Sequence, residues 1–97
     1  MVTKINAERF HELMNQEGKV VVKFGATWCG PCKVLTEQVK DLDEVIYDIN
    51  VDEEMELASA FKINTIPRLL VFQSGQLVRM RVDLFKSKEE AKNFVEQ

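Results

Sequence analysis

Trp28-Cys29-Gly30-Pro31-Cys32-Lys33 holds both cysteines of the 97-residue chain, with two residues between them. The stretch follows an apolar run, Val20-Val21-Val22-Lys23-Phe24, and precedes apolar residues at helical spacing, Leu35, Val39 and Leu42. The pair is therefore expected where a strand turns into a helix. At a helix N-terminus the unpaired N–H groups and the dipole favour a thiolate over a thiol. Pro31 suits a first helical turn, where a missing N–H costs little, and Gly30 is expected to let the backbone turn tightly. Two thiols held this way can close a small disulfide ring, with one of them activated.

The same spacing is half of a zinc site. A structural zinc takes four ligands, and His11 is the only other soft ligand, so the chain offers at most two cysteines, one histidine and a carboxylate. Two buried structural thiols are a third reading, but burial alone requires neither Gly-Pro between the cysteines nor Trp28 before them.

The length fits one domain spanning residues 1–97, near the small end of what folds without staples. Hydrophobic residues at 45% and charged ones at 30% predict a globular core rather than disorder. A net charge of -3 with dispersed Lys and Arg gives no basic footprint, so nucleic acid is not an expected partner. No run of 18 apolar residues is present, and Met1 to Asn6 lacks the apolar core of a signal peptide. No membrane partner and a cytoplasmic location are the expectation. In a reducing compartment two cysteines point to catalysis or redox sensing more than to structure.

Outward from the motif, Val2 to Ile5 reads as a strand, and Asn6 caps a helix with an apolar face of Phe10, Leu13 and Met14 that ends at Gly18. Lys19 to Phe24 reads as a central strand with Val20, Val22 and Phe24 on one face and Val21, Lys23 and Gly25 on the other. Lys23 breaks that pattern, since a lysine in a central strand must be paired or must snorkel to water. Val45 to Val51 alternates as a third strand, and Asp52-Glu53-Glu54 is expected to open a helix with a stripe of Leu57, Ala60 and Phe61. Pro67 precedes a strand at Leu69 to Phe72. Ser74-Gly75 turns it into Leu77 to Val82, and Ser87-Lys88-Glu89-Glu90 is a capping box for a last helix facing inward with Ala91, Phe94 and Val95. The order βαβαβαββα predicts an α/β fold: a mixed central sheet, parallel early and antiparallel late, with helices on both faces.

With these residues in view, the chain closely resembles the thioredoxin family. The matching stretches are Trp28 to Lys33 after an apolar strand, Asn50-Val51-Asp52, Thr65-Ile66-Pro67 before Leu69 to Phe72, and Gly75 in the hairpin. The resemblance implies a thioredoxin fold and a protein-disulfide reductase, a thiol-disulfide oxidoreductase with Cys29 as the attacking thiolate and Cys32 as the resolving thiol. It also implies a cis peptide bond before Pro67, and an apolar docking surface of Trp28, Gly30, Pro31, Ile66 and Pro67 in which the Ile66 backbone pairs with an extended substrate. No cofactor and no metal are implied beyond the redox-active disulfide. The implied partners are disulfide-containing proteins and a dithiol donor such as a thioredoxin reductase, serving a monomer in electron transport and cell redox homeostasis.

The chain departs from the family pattern at Lys23, where a buried aspartate is usual. It departs also at Gly25, where an aromatic is usual, and at Arg68 and Asp83, where a small polar residue and a glycine are common. The residues expected to tune the redox behaviour are Lys23 and, between the cysteines, Gly30 and Pro31. The family alignment sets Lys23 beneath Cys32, as a charged group, as a neutral proton acceptor, or with its head reaching water. A second function is a thioredoxin-fold interaction module with little turnover.

Overall fold

A computed structural model describes residues 1–97. In chain order its elements are β1 (Val2–Lys4), α1 (Ala7–Met14), β2 (Lys19–Gly25), α2 (Gly30–Val39), β3 (Ile46–Asn50), α3 (Met55–Ala60), β4 (Arg68–Gln73), β5 (Gln76–Arg81) and α4 (Lys88–Glu96). The expected order is observed. The strands form one sheet in the order β1-β3-β2-β4-β5. Its β1, β3 and β2 run parallel, while β4 and β5 are antiparallel. Alternation along β2 sends Val20, Val22 and Phe24 into a core with Phe10 and Leu13 of α1 and Leu57 of α3. Val21 goes to the opposite core, with Leu35 and Val39 of α2 and Ala91 and Val95 of α4. The phenylalanines give the first core its bulk: Phe10, Phe61 and Phe72 meet edge to face, each pair with centroids 5.6 Å apart.

The helix starts follow the expected chemistry with adjustments. The Asn6 side chain accepts from the Arg9 N–H and the Ser87 side chain from the Glu90 N–H, so both act as N-caps. The Glu90 carboxylate accepts from the Lys86 N–H and from Arg81 rather than closing a reciprocal box. Helix α1 stops at Met14, with Asn15 as its C-cap, and Gly18 (φ 94°) serves the turn into β2 instead. Asp52 and Glu53 lie in a turn, and α3 starts only at Met55 with no side-chain cap. Within α3 the buried pair is Leu57 and Ala58, while Ala60 is exposed. A helix of only six residues turns a narrow face inward, and Phe61 just beyond it completes the packing.

Edge strand β5 divides its side chains unexpectedly. The guanidinium of Arg79 lies over the Phe94 ring and that of Arg81 over Phe85, on the α4 side of the sheet. Val78, Met80 and Val82 remain exposed on the other. Of the eight acids between Asp41 and Glu56, Asp41, Glu44, Asp48 and Glu53 are ion-paired, Asp52 accepts from Trp28, and Glu54 accepts from the Ala7 N–H. They serve local partners more than any common patch.

In the β4–β5 turn Ser74 and Gly75 both have positive φ, 49° and 81°, and a Cβ added at Gly75 would stand 2.5 Å from the Met14 carbonyl oxygen. Gly75→Ala is therefore expected to lower stability by at least about 1–2 kcal/mol. Gly30→Ala, at a position with no atom within 4 Å of an added Cβ, should stay within about 0.5 kcal/mol of the parent. Urea unfolding midpoints of the two variants check both statements.

Candidate functional site

The motif folds as its residue types require. β2 ends at Gly25, a short turn follows, and Cys29 is the N-cap residue of α2 with extended backbone (φ -91°, ψ 110°) and Pro31 in the first turn. Cys29 and Cys32 are joined by a disulfide, with Cα atoms 5.3 Å apart. Their surroundings differ. The Cys32 backbone N–H donates to Cys29 Sγ at 3.2 Å, so one of the orphan donors of the helix start is aimed at that sulfur. No hydrogen-bond donor is aimed at Cys32 Sγ, which is 2% exposed against 5% for Cys29. A cap that accepts an N–H bond through sulfur accepts it better as a thiolate.

Gly30 does not carry the tight turn expected of it. Its φ is not positive and there is open space where a Cβ would stand, because Cys29 rather than Gly30 makes the change from extended to helical backbone. Gly25 is the glycine that space demands. A Cβ there would lie 2.9 Å from Lys23 Nζ, 3.1 Å from Cys32 Sγ and 3.3 Å from Cys32 Cβ.

That geometry also decides where Lys23 points. Its head does not reach water: the side chain is 4% exposed, and Nζ turns toward the same point as Cys32 Sγ. Nζ donates to Asp48 Oδ1 at 3.1 Å. Register explains the pair, since Lys23 and Asp48 are directly matched between β2 and β3 and their side chains emerge on one face. A cleft of about 190 Å³ opens beside them, lined by Lys4, Lys23, Gly25, Cys32, Lys33 and Asp48 among others. Lys4 at this cleft has its pKa held above the usual lysine value, first by the hydrogen bond to Glu53 and then by the charges of Glu53 and, more weakly, Asp48.

Trp28 is 69% exposed, and its indole Nε1 donates to Asp52 Oδ2 at 2.7 Å, which fixes the ring beside the motif. Asp52 is in turn set by its own N–H donating to Asn50 Oδ1 at 2.8 Å. The Ile66–Pro67 bond is cis, as the resemblance implies. β4 pairs with β2 through Phe24 and Arg68, so one step further Pro67 comes level with Gly25 and hence with the cysteines. Neither the N–H nor the C=O of Ile66 has a hydrogen-bond partner within the chain. Arg68 donates to Asn64 and Thr65, which ties down the loop before the proline.

Sequence reasoning missed Asp48, Gly25 as a matter of space, and Asp52 as the indole's partner. Asp48 and Asn50 could be read as the polar side of the third strand, but only the register reveals that this side faces Lys23 and Cys32. Nowhere do three or more His, Cys, Asp or Glu side chains gather at metal-ligand spacing, and no helix is long and apolar enough to cross a membrane.

Comparison with known proteins agrees with this geometry. The family model described as Thioredoxin matches residues 1–97. A thioredoxin of Mycoplasma pneumoniae is 39% identical over 82 residues, which span 78% of this chain and 80% of that protein. A thioredoxin of Bacillus subtilis is 39% identical over 85 residues, 81% of each. Among solved structures, a thioredoxin variant from Halobacterium salinarum superposes with a TM-score of 0.84 at 28% identity, covering 98% of this chain and 88% of the other. With Cys29, the cap of α2, joined to Cys32 and the Thioredoxin family model matched over residues 1–97, the chain belongs to the thioredoxin family as a thiol-disulfide oxidoreductase.

Proposed function

We propose that Cys29 is the nucleophile and Cys32 the resolving thiol in the reduction of protein disulfides. The observation that carries this assignment is the Cys32 N–H aimed at Cys29 Sγ. In the reduced protein the Cys29 thiolate attacks a substrate disulfide, and a mixed disulfide forms as one substrate sulfur leaves. The Cys32 sulfur then attacks Cys29 Sγ, closes the ring and releases the second substrate sulfur, so that two electrons pass to the substrate. Pro31 in the first turn of α2 helps set the spacing of the two sulfurs, while Gly30 leaves their outer side uncovered.

The substrate segment docks on Trp28, Ile66 and Pro67. Trp28 supplies exposed aromatic area, and the unpaired Ile66 peptide groups can pair with an extended chain. The couple needs no group beyond the disulfide. Its electrons come from a dithiol donor of the thioredoxin-reductase kind, and a reducing cytoplasm suits that role.

Cys32→Ser is expected to accumulate a covalent complex with substrate proteins on non-reducing gels, and Cys29→Ser is not. Faster alkylation of Cys32 than of Cys29 by iodoacetamide at neutral pH would reverse the assignment. Trp28→Ala is expected to raise KM for a protein disulfide roughly five- to tenfold, the loss of about 1 kcal/mol of contact, while the exposed site keeps the unfolding midpoint unchanged. An unaltered KM would remove Trp28 from the docking surface.

Lys23 makes the couple more oxidising, because an ammonium near the sulfurs favours the thiolate-bearing reduced form. Lys23→Met should lower the reduction potential by roughly 30 mV, equivalent to about 1.4 kcal/mol in a two-electron couple. Equilibration with glutathione measures this, and a constant or higher potential would contradict it.

A further inference from the structure

The resolving step poses a problem that the capping geometry does not answer. Cys32 must lose its proton before it can attack, yet it is buried, no N–H is aimed at its sulfur, and the three atoms nearest a Cβ at Gly25 include no carboxylate or imidazole. What meets that point, at 2.9 Å against 3.1 Å for the sulfur, is the Lys23 ammonium. An ammonium already engaged in an ion pair has no lone pair to offer, so its influence on Cys32 is electrostatic. In a water-poor site a single cation beside a thiol shifts the thiol toward thiolate.

The ammonium is there because something holds it. A lysine side chain has four rotatable bonds, so its strand position alone does not set where its head lies. Asp48, partly exposed at 33%, accepts from Nζ at 3.1 Å and lies opposite Lys23 in register, so it holds the head on the side of Gly25 that Cys32 Sγ also faces. The other charges around this cleft are cationic, Lys4 from β1 and Lys33 from α2, with Glu53 held by Lys4 at 2.7 Å. Asp48 is thus the one anion placed to anchor the buried head.

Resting on the assignment of Cys32 as resolving thiol, we propose that Asp48 is a positioning residue for the second half of the exchange, holding the Lys23 ammonium where it stabilises the attacking Cys32 thiolate. The proton of Cys32 passes to water in the cleft. The thiolate then forms the bond to Cys29 Sγ as the bond from Cys29 Sγ to the substrate sulfur breaks, and the departing substrate thiolate takes a proton from solvent. The site therefore resolves by electrostatic support of the nucleophile, with no side-chain base.

Stopped-flow reaction of the reduced protein with 5,5′-dithiobis(2-nitrobenzoate) separates the halves. The first equivalent of thionitrobenzoate reports attack by the nucleophile and the second reports resolution. The pH midpoint of the second phase is the readout. Lys23→Met should raise that midpoint by about one unit, slowing resolution about tenfold at pH values below it. Asp48→Asn, whose side-chain oxygen can still accept from Nζ, should leave the midpoint at or below that of the parent. A rise there would instead make Asp48 the proton acceptor and overturn the proposal. The charge-exchanged protein, Lys23→Asp with Asp48→Lys, keeps an ion pair and so controls for folding, and its midpoint should also rise by about one unit. If its profile superimposes on that of the parent, the pair is structural only and the proposal fails. Loss of the first phase in Cys32→Ser rather than in Cys29→Ser would instead refute the assignment of roles on which the proposal rests.

Discussion

Strand β2 is hydrogen-bonded along both edges and covered on both faces, and the architecture follows from that constraint. Its backbone groups are satisfied by β3 and β4, so its side chains alone decide what packs above and below. Val20, Val22 and Phe24 call for the aromatic layer under α1 and α3, and Val21 calls for α2 and α4. A strand so enclosed is a rigid mount. The cysteine pair sits just past its C-terminal end, where the sheet stops and backbone N–H groups become free to face a sulfur.

The two cysteines are chemically unequal because a helix start is directional. Cys29 precedes the first turn and can receive an N–H, whereas Cys32 lies within that turn and gives its own N–H away. Geometry three residues long thus separates a sulfur stabilised by the backbone from one that depends on its neighbours in space. That dependence makes β3, distant in sequence, part of the site.

What could be read from the sequence was whatever local chemistry determines. The strand-to-helix position of Cys29 and Cys32, the Asn6 and Ser87 caps, the Ser74-Gly75 turn and the two-faced pattern of β2 were all legible in this way. The cis bond at Pro67 came through family resemblance, since local energetics favour trans. The partner of Lys23 was not legible, because it depends on the registration of two strands 25 residues apart. Nor was the work of Gly25, which is visible only once Cys32 is seen to crowd it. The start of α3 lies beyond the expected Asp52 for a related reason. Asp52 resembles a cap, but its side chain is taken by the Trp28 indole, a tertiary contact that overrides local preference.

The unequal burial of Lys23 and Asp48 gives this site a direction in mutational space. Loss of Lys23 leaves behind a carboxylate that can turn to solvent through the cleft, a mild defect. Loss of Asp48 leaves an ammonium stranded in the interior, and breaking a buried pair in that sense typically costs about 3–5 kcal/mol. That is a large part of the roughly 5–10 kcal/mol on which a domain of this size survives. Descendants of this sequence can therefore change the lysine first and the aspartate afterwards, but rarely in the reverse order, so the polarity of the pair acts as a one-way gate on the routes by which its redox behaviour can drift.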